Sequence, residues 1–267
     1  MNWNRIESRQ NSLVKLCASL SEKKVREREG FFLAEGTTLL FDLCEKGIVP
    51  EKVLLSEKAM HLTDAIEKRL ADTPCEAYLL SEPAFEKVTS EKGSEGIVSV
   101  FSFSRLNGVL KKRSYRRLVA LENVQDPGNV GTVLRSAAAF GFDGVLTVGG
   151  ADPFGIKAVR ASMGAIGSVP VLSFPDTASL MKQLGAWGVK SVAACLRSDS
   201  VPIDRAALEE PVCVWIGNEG KGLSEEAIEK SDERCIIPIS GMESLNAAAA
   251  ATVFLWEIKR RGGAHEG

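Results

Sequence analysis

The segment Asn123-Val124-Gln125-Asp126-Pro127-Gly128-Asn129-Val130-Gly131-Thr132-Val133-Leu134-Arg135 decides how this 267-residue chain is read. It follows the apolar run Leu118 to Leu121. Asp126-Pro127-Gly128 is a turn signal, and Val130, Val133, Leu134, Ala137 and Phe140 then recur at helical spacing. Gly131, Thr132, Arg135, Ala138 and Ala139 fall on the opposite side of that helix. A strand that ends in a turn and opens a helix is where parallel α/β sheets collect ligand-binding residues. Arg135 there is a charged fork among small residues, suited to phosphate or ribose. The same arginine could equally pair a carboxylate on a helix surface.

Two later segments repeat the pattern. Gly217-Asn218-Glu219-Gly220-Lys221-Gly222 follows the apolar run Val212 to Ile216, and so many glycines let backbone approach a ligand closely. Neither the nucleoside-triphosphate loop nor the dinucleotide G-x-G-x-x-G fits it, and an ordinary flexible turn is the alternative. In the third segment a strand running to Ile239 is followed by a loop, Ser240 to Glu243. Ser244-Leu245-Asn246 then opens a helix through the alanines 247 to 251. Ser244 is expected to be the N-cap and Asn246 the second helical residue, its amide facing the loop.

The alternation of elements extends over the whole chain. Strands are expected near 118–122, 143–148, 168–172, 190–196, 212–216 and 235–239, separated by helices, which implies a parallel sheet covered on both faces. Residues 10 to 103 form a smaller α/β unit. The polar, basic stretch between them gives the scheme 1–105, linker 106–117, and 118–267.

Composition narrows the chemistry. With 33 Lys and Arg against 35 Asp and Glu, the net charge is -2, so nucleic acid is not gripped by bulk charge. Local excess remains in residues 1 to 28 and Lys111 to Arg117, two patches that could meet phosphates or simply solvate a surface. Only His61 and His265 occur, which leaves little material for a Ser-His-Asp hydrolase. The six cysteines are scattered, so no metal site is expected and buried free thiols are the simpler reading. No apolar run is long enough for a membrane span and the first twenty residues carry no secretory pattern, which points to the cytoplasm.

In order and spacing, the three segments resemble the signature motifs of the SpoU (TrmH-like) family of RNA 2′-O-ribose methyltransferases in the SPOUT superfamily. Lys157-Ala158-Val159-Arg160-Ala161-Ser162-Met163-Gly164-Ala165 fits the stretch between motifs. The N-terminal part is similar to that family's substrate-binding domain through Asn11 to Leu16, Lys23 to Arg26, Phe32 to Gly36 and Glu95-Gly96. Two departures, Glu95 where Gln is frequent and plain alanine after Asn246, bear on the choice of RNA.

The resemblance implies an α/β protein: a C-terminal SPOUT parallel sheet with a trefoil knot, preceded by a small ribosomal-protein-like α/β substrate-binding domain. It also implies S-adenosyl-L-methionine as cofactor and a homodimer through the knotted domain. Carried over by position, the backbone at Gly217, Ile237 and Leu245 holds the cofactor. Asn129, Arg135, Glu219, Ser244 and Asn246 line the transfer site. Because a guanidinium barely deprotonates, Arg135 reads as an electrostatic clamp on the ribose oxygen or an adjacent phosphate. The base is left open among the substrate phosphate, a water and Glu219.

The substrate expected is RNA, ribosomal rather than transfer RNA, since a separate recognition module suits a large folded target. Competing readings are a transfer-RNA methyltransferase, a non-catalytic RNA-binding module of the same fold, a base-methylating SPOUT enzyme, and an oxidoreductase. Intact Arg135, Glu219, Ser244 and Asn246 argue against the inert module. The last lacks its glycine fingerprint.

Overall fold

The computed structural model describes residues 1–71, 73–89, 95–110, 114–242 and 244–262. Lys111 to Arg113 of the expected linker, Glu243 and His265 lie outside the described residues. The chain divides into two compact units, Met1–Lys111 with Phe154–Gly167, and Lys112–Pro153 with Ser168–Gly267.

The first unit is built on β1 (Trp3–Ile6), β2 (Phe31–Glu35), β3 (Lys52–Ser56), β4 (Glu76–Leu80) and β5 (Ile97–Ser102). They form a mixed sheet in the order β1-β4-β3-β5-β2, with β5 antiparallel to both neighbours. Helices α1 (Ser12–Ser19), α2 (Lys23–Glu29), α3 (Thr37–Glu45), α4 (Thr63–Arg69), α5 (Glu82–Phe85) and α6 (Phe103–Val109) flank it. The stretch read as linker therefore begins inside α6, whose N-terminus is capped by Ser102.

The patch expected over residues 1 to 28 is only partly available to phosphates. Arg26 is 3% exposed and donates to the Leu20 carbonyl at 2.5 Å. Arg5, Lys23 and Arg28 face Glu57, Glu27 and Glu29. In the second unit, Arg116 and Arg117 are both paired with Glu210.

The second unit carries β6 (Arg117–Glu122), α7 (Pro127–Ala139) and β7 (Gly144–Val148), after which the chain leaves it at Pro153. The excursion, α8 (Ile156–Ala161) and its flanks, belongs to the first unit. Phe154 packs there against the rings of Phe32 and Phe103, 5.5 and 4.8 Å between centroids. Gly164 lies so close to Asp42 that a Cβ would come within 2.8 Å of the carboxylate. The scheme 1–105, 106–117, 118–267 has no place for this excursion.

The chain returns through β8 (Val171–Phe174), α9 (Thr177–Trp187), β9 (Lys190–Ala194), the short β10 (Val201–Pro202) and β11 (Val212–Ile216). It ends with α10 (Glu225–Lys230), β12 (Glu233–Ile236) and α11 (Ala247–Gly262). All paired strands are parallel, in the order β10-β12-β9-β11-β6-β7-β8. Strand β11 is apolar throughout and β7 is apolar but for Thr147, and both are buried along their whole length, as a sheet covered on both faces requires.

Two expected strands sit differently. The one placed at 168–172 runs over Val171–Phe174, and the one placed at 235–239 stops at Ile236. Ile237, Pro238 and Ile239 lie beyond the ladder, where proline has no N–H to offer a neighbour. No helix of the described residues is long and apolar enough to cross a membrane.

Candidate active site

Three strand ends converge. Strand β6 stops at Glu122, β11 at Ile216 and β12 at Ile236, and each hands over to a loop built from one of the three sequence segments. The Gly217 to Leu223 loop is a tight hairpin rather than a flexible turn. Asn218 and Gly222 exchange both backbone hydrogen bonds, at 3.0 and 2.9 Å. The Asn218 side chain accepts from the backbone N–H of Gly220 and Lys221, at 3.0 and 2.9 Å. Glycine is obligatory at 217, where a Cβ would lie 2.2 Å from the Gly222 carbonyl carbon and the Leu223 nitrogen.

Glu219 ties this hairpin to the first segment. One carboxylate oxygen accepts from the Asp126 N–H at 3.0 Å and the Asn129 amide at 2.9 Å, and the other from the Gln125 N–H at 3.0 Å. Asn218 adds a bond to the Asn123 carbonyl at 2.9 Å. Asn123 has φ +54, a left-handed backbone that a non-glycine residue rarely adopts. Burial works to raise the Glu219 pKa, but the Gln125, Asn129 and Asp126 donors outweigh it and hold the carboxyl at about 2.

The third segment joins through Asn246. Its amide donates to the Asn129 side-chain oxygen at 3.1 Å, so Asn246, Asn129 and Glu219 form a continuous chain. Its oxygen accepts from the N–H groups of Ala248 and Ala249, at 2.9 and 3.3 Å. Asn246 therefore caps α11, which starts at Ala247, and Ser244 is an exposed loop residue. The expectation that Ser244 caps the helix is two residues early, because serine and asparagine satisfy the same orphan N–H groups and only geometry separates them. Asn246→Ala should cost about 1 kcal/mol of capping and loosen the loop, weakening cofactor binding measurably by calorimetry. Unchanged affinity would assign Asn246 to the RNA side.

A cavity of about 460 Å³ opens over these loops. Gly217, Ile237 and Leu245 all line it, together with Glu219 and Ser244. Leu196 at 61% and Leu245 at 40% exposure give its walls an apolar edge, while Arg197 and Glu225 pair at its polar side. Asn129 and Asn246 are not part of that lining: Asn129 holds Glu219, and Asn246 in turn holds Asn129.

Arg135 does not line it. It lies on the exposed face of α7 with Thr132 and Ala139, and makes no ion pair or hydrogen bond among the described residues. Gly131, expected beside it on the open side, is buried. With no side chain there, α7 can pack closely against its neighbours. Helix α7 lies along α11 through the Ser136 and Thr252 hydroxyls, 2.8 Å apart, and the rings of Phe140 and Trp256 at 5.6 Å.

Residues that pattern reading missed are Asn218, whose side chain sets the hairpin, and Glu122, an acid closing an otherwise apolar strand. The signal for Glu122 was that apolar context. Among the cysteines, Cys17, Cys213 and Cys235 are buried, whereas Cys44, Cys75 and Cys195 are half-buried. Among the described residues no cluster of three or more His, Cys, Asp or Glu could hold a metal.

Comparison with known proteins identifies the family. Residues 116–256 match the SpoU rRNA Methylase family, and residues 11–99 match the MRM3-like substrate binding domain. The chain is 31% identical to the 23S rRNA (guanosine(2553)-2′-O)-methyltransferase RlmP of Bacillus subtilis, over 96% of this chain and 99% of that protein. Among solved structures it resembles an AdoMet-bound rRNA methyltransferase from Sinorhizobium meliloti, with 28% identity, TM-score 0.80, and 97% and 98% of the two chains covered. The SpoU methyltransferase AviRb from Streptomyces viridochromogenes, in complex with AdoMet, matches with 25% identity and TM-score 0.80 over 94% and 98%. The chain belongs to the SpoU rRNA methylase family.

Proposed function

We propose that this chain uses S-adenosyl-L-methionine to methylate a ribose 2′-hydroxyl of ribosomal RNA. The observation that carries the reading is the convergence of Gly217, Ile237 and Leu245 on one cavity, braced from behind by the Glu219, Asn129 and Asn246 chain. Its volume falls within the roughly 300–1,000 Å³ of small-molecule sites. An apolar wall beside a glycine-rich loop suits a nucleoside. When bound there, the cofactor supplies an electrophilic methyl group on a sulfonium.

The chain's own task is to hold two loops still and to stabilise charge that develops on the ribose oxygen. Glu219 is unsuited to be the base. Three donors already occupy its oxygens, and its depressed pKa makes it a poor proton acceptor. Its ionised form is favoured by folding throughout the range above about pH 4.5. That contribution is lost only as pH falls from there through the folded value of about 2. Glu219→Gln should therefore raise the cofactor Kd and leave the shape of the rate profile between pH 5 and 9 unchanged. Disappearance of an ionisation from that profile would restore Glu219 as the base.

The reading includes a homodimer. Ala249, Val253 and Trp256 are exposed on α11 beside the exposed Thr132, Arg135 and Ala139 of α7, and Trp256 is 53% exposed. A large aromatic with small neighbours, at the open side of a packed helix pair, suits a self-complementary contact. Arg135 would then act at the partner's cavity, since it does not reach its own. We also infer the trefoil knot from family membership; generic folding rules would not suggest one.

The function is tested by mapping 2′-O-methyl groups in total RNA with and without the gene, and by supplying purified protein with labelled cofactor and ribosomal RNA. Loss of one ribosomal ribose methyl supports the proposal. A missing transfer-RNA methyl, or a methyl on a base, overturns it.

A further inference from the structure

Behind the cofactor cavity lies a carboxylate that the reaction does not touch. Glu122, the last residue of β6, is 1% exposed and has no cationic partner among the described residues. One of its oxygens accepts from the hydroxyls of Thr177, at 2.5 Å, and Ser224, at 2.7 Å; the other accepts from the Ser224 N–H at 2.7 Å. Thr177 is the first residue of α9, and Ser224 is the N-cap of α10, its hydroxyl also accepting from the Ala227 N–H at 3.1 Å. A buried charge is costly unless hydrogen bonds replace its hydration, and three donors converge here to do so.

The position of this clasp matters more than its strength. Ser224 follows directly on the Gly217 to Leu223 hairpin, and Leu223, Glu225 and Ile228 on either side of it line the cavity. The next residue, Asn123, accepts from the Asn218 side chain at the hairpin's other end, and the Gln125 and Asp126 N–H groups donate to Glu219. One strand end thus grips entry, tip and exit of the loop. We propose that Glu122 is a positioning residue for the cofactor site: its carboxylate fixes the exit of the 217–223 hairpin and the start of α10, so that the loop is ordered before any ligand arrives. Ordering the loop in advance removes an entropy cost from binding. The inference rests on the cofactor reading above, but loop order can be measured without a ligand.

The substitutions separate charge from shape. In Glu122→Gln the remaining oxygen still accepts the Ser224 N–H, and both hydroxyls can rotate to accept from the new amide. In Glu122→Ala the hydroxyl of the buried Thr177 and both Ser224 donors lose the acceptor that holds them together, although Ser224 itself is exposed. Amide exchange of Asn218 to Ser224 is followed without ligand, with cofactor Kd by calorimetry and turnover at saturating cofactor. Glu122→Ala should speed loop exchange at least tenfold and raise the cofactor Kd about tenfold, with kcat and the KM for RNA within about threefold of wild type. Glu122→Gln should stay within about threefold throughout.

Thr147→Val, which removes the hydroxyl bond of the buried Thr147 to Ser173 between β7 and β8, controls for general destabilisation. It should lower Tm without moving either loop readout. If Glu122→Ala proves unfolded, Thr177→Val carries the same comparison with a smaller shift in the same direction. Loop exchange and cofactor Kd within twofold of wild type in Glu122→Ala, or in Thr177→Val where it stands in, or an equal shift in Thr147→Val, would overturn the proposal. A wild-type protein with a protected loop that binds no S-adenosyl-L-methionine would sink the cofactor reading, and not the clasp.

Discussion

Arg135→Ala is expected to reduce turnover by about 10²- to 10³-fold, the usual cost of removing one donor aimed at a developing oxyanion, while cofactor affinity stays within a few-fold of wild type. The guanidinium has no partner to lose in the fold: it is exposed on α7 and forms no ion pair or hydrogen bond among the described residues. Its truncation should leave Tm nearly unchanged, because exposed positions without partners rarely move stability by more than about 0.5 kcal/mol. The expected signature is a fall in kcat with calorimetric binding intact. A parallel loss of cofactor affinity would place Arg135 in the cofactor site and contradict its absence from the cavity wall.

The same variant tests whether the arginine works across a subunit boundary. Arg135→Ala mixed with Gly217→Val, which blocks the hairpin turn, pairs one protomer lacking the clamp with one lacking the cofactor loop. If Arg135 serves the partner's cavity, each mixed dimer contains one complete site, and random 1:1 assembly should return about a quarter of wild-type activity. If it serves its own cavity, the mixture stays as inactive as either parent.

How much of this was legible depends on the range of the interaction. Gly217, Ile237 and Leu245 came from the resemblance, by position; the three segments themselves could be read because each follows an apolar run, and in a parallel sheet the ends of such runs gather at one edge. The helical period likewise put Arg135 opposite the apolar face of α7. Strand order was not legible: alternation of elements shows that strands exist, whereas β11 lying between β6 and β9 is a non-local choice. The departure of Phe154–Gly167 to the other unit was hidden for the same reason. Its apolar residues would suit either core, and contacts such as the Phe154 rings and the close approach of Gly164 to Asp42 show which one takes them.

Within the site, the resemblance assigned Glu219 and Asn246 to the transfer site and could not show the hydrogen bonds in which both are engaged. Asn246 is a cap and a bridge at once, and Glu219 is saturated by donors. With Asn129 between them, the two make a bracing chain in which no proton need be transferred.

Trp256→Arg should have the second large effect, and through assembly alone. The indole is 53% exposed and touches Phe140 on one side, with Val253, 39% exposed, one turn earlier on α11. In a two-fold contact each substitution occurs twice, so two arginines would have to be desolvated where an aromatic was buried. Sedimentation should report a monomer with a Tm close to that of wild-type monomer, since half of the side chain was already in water. Turnover should fall to the level of Arg135→Ala, because a monomer cannot supply the arginine to a partner's cavity, while each remaining cavity keeps its intact loop chain and measurable cofactor binding. A variant that stays dimeric would move the interface elsewhere on the second unit. A monomer with wild-type turnover would show that one chain holds a complete site and that Arg135 reaches its own ribose.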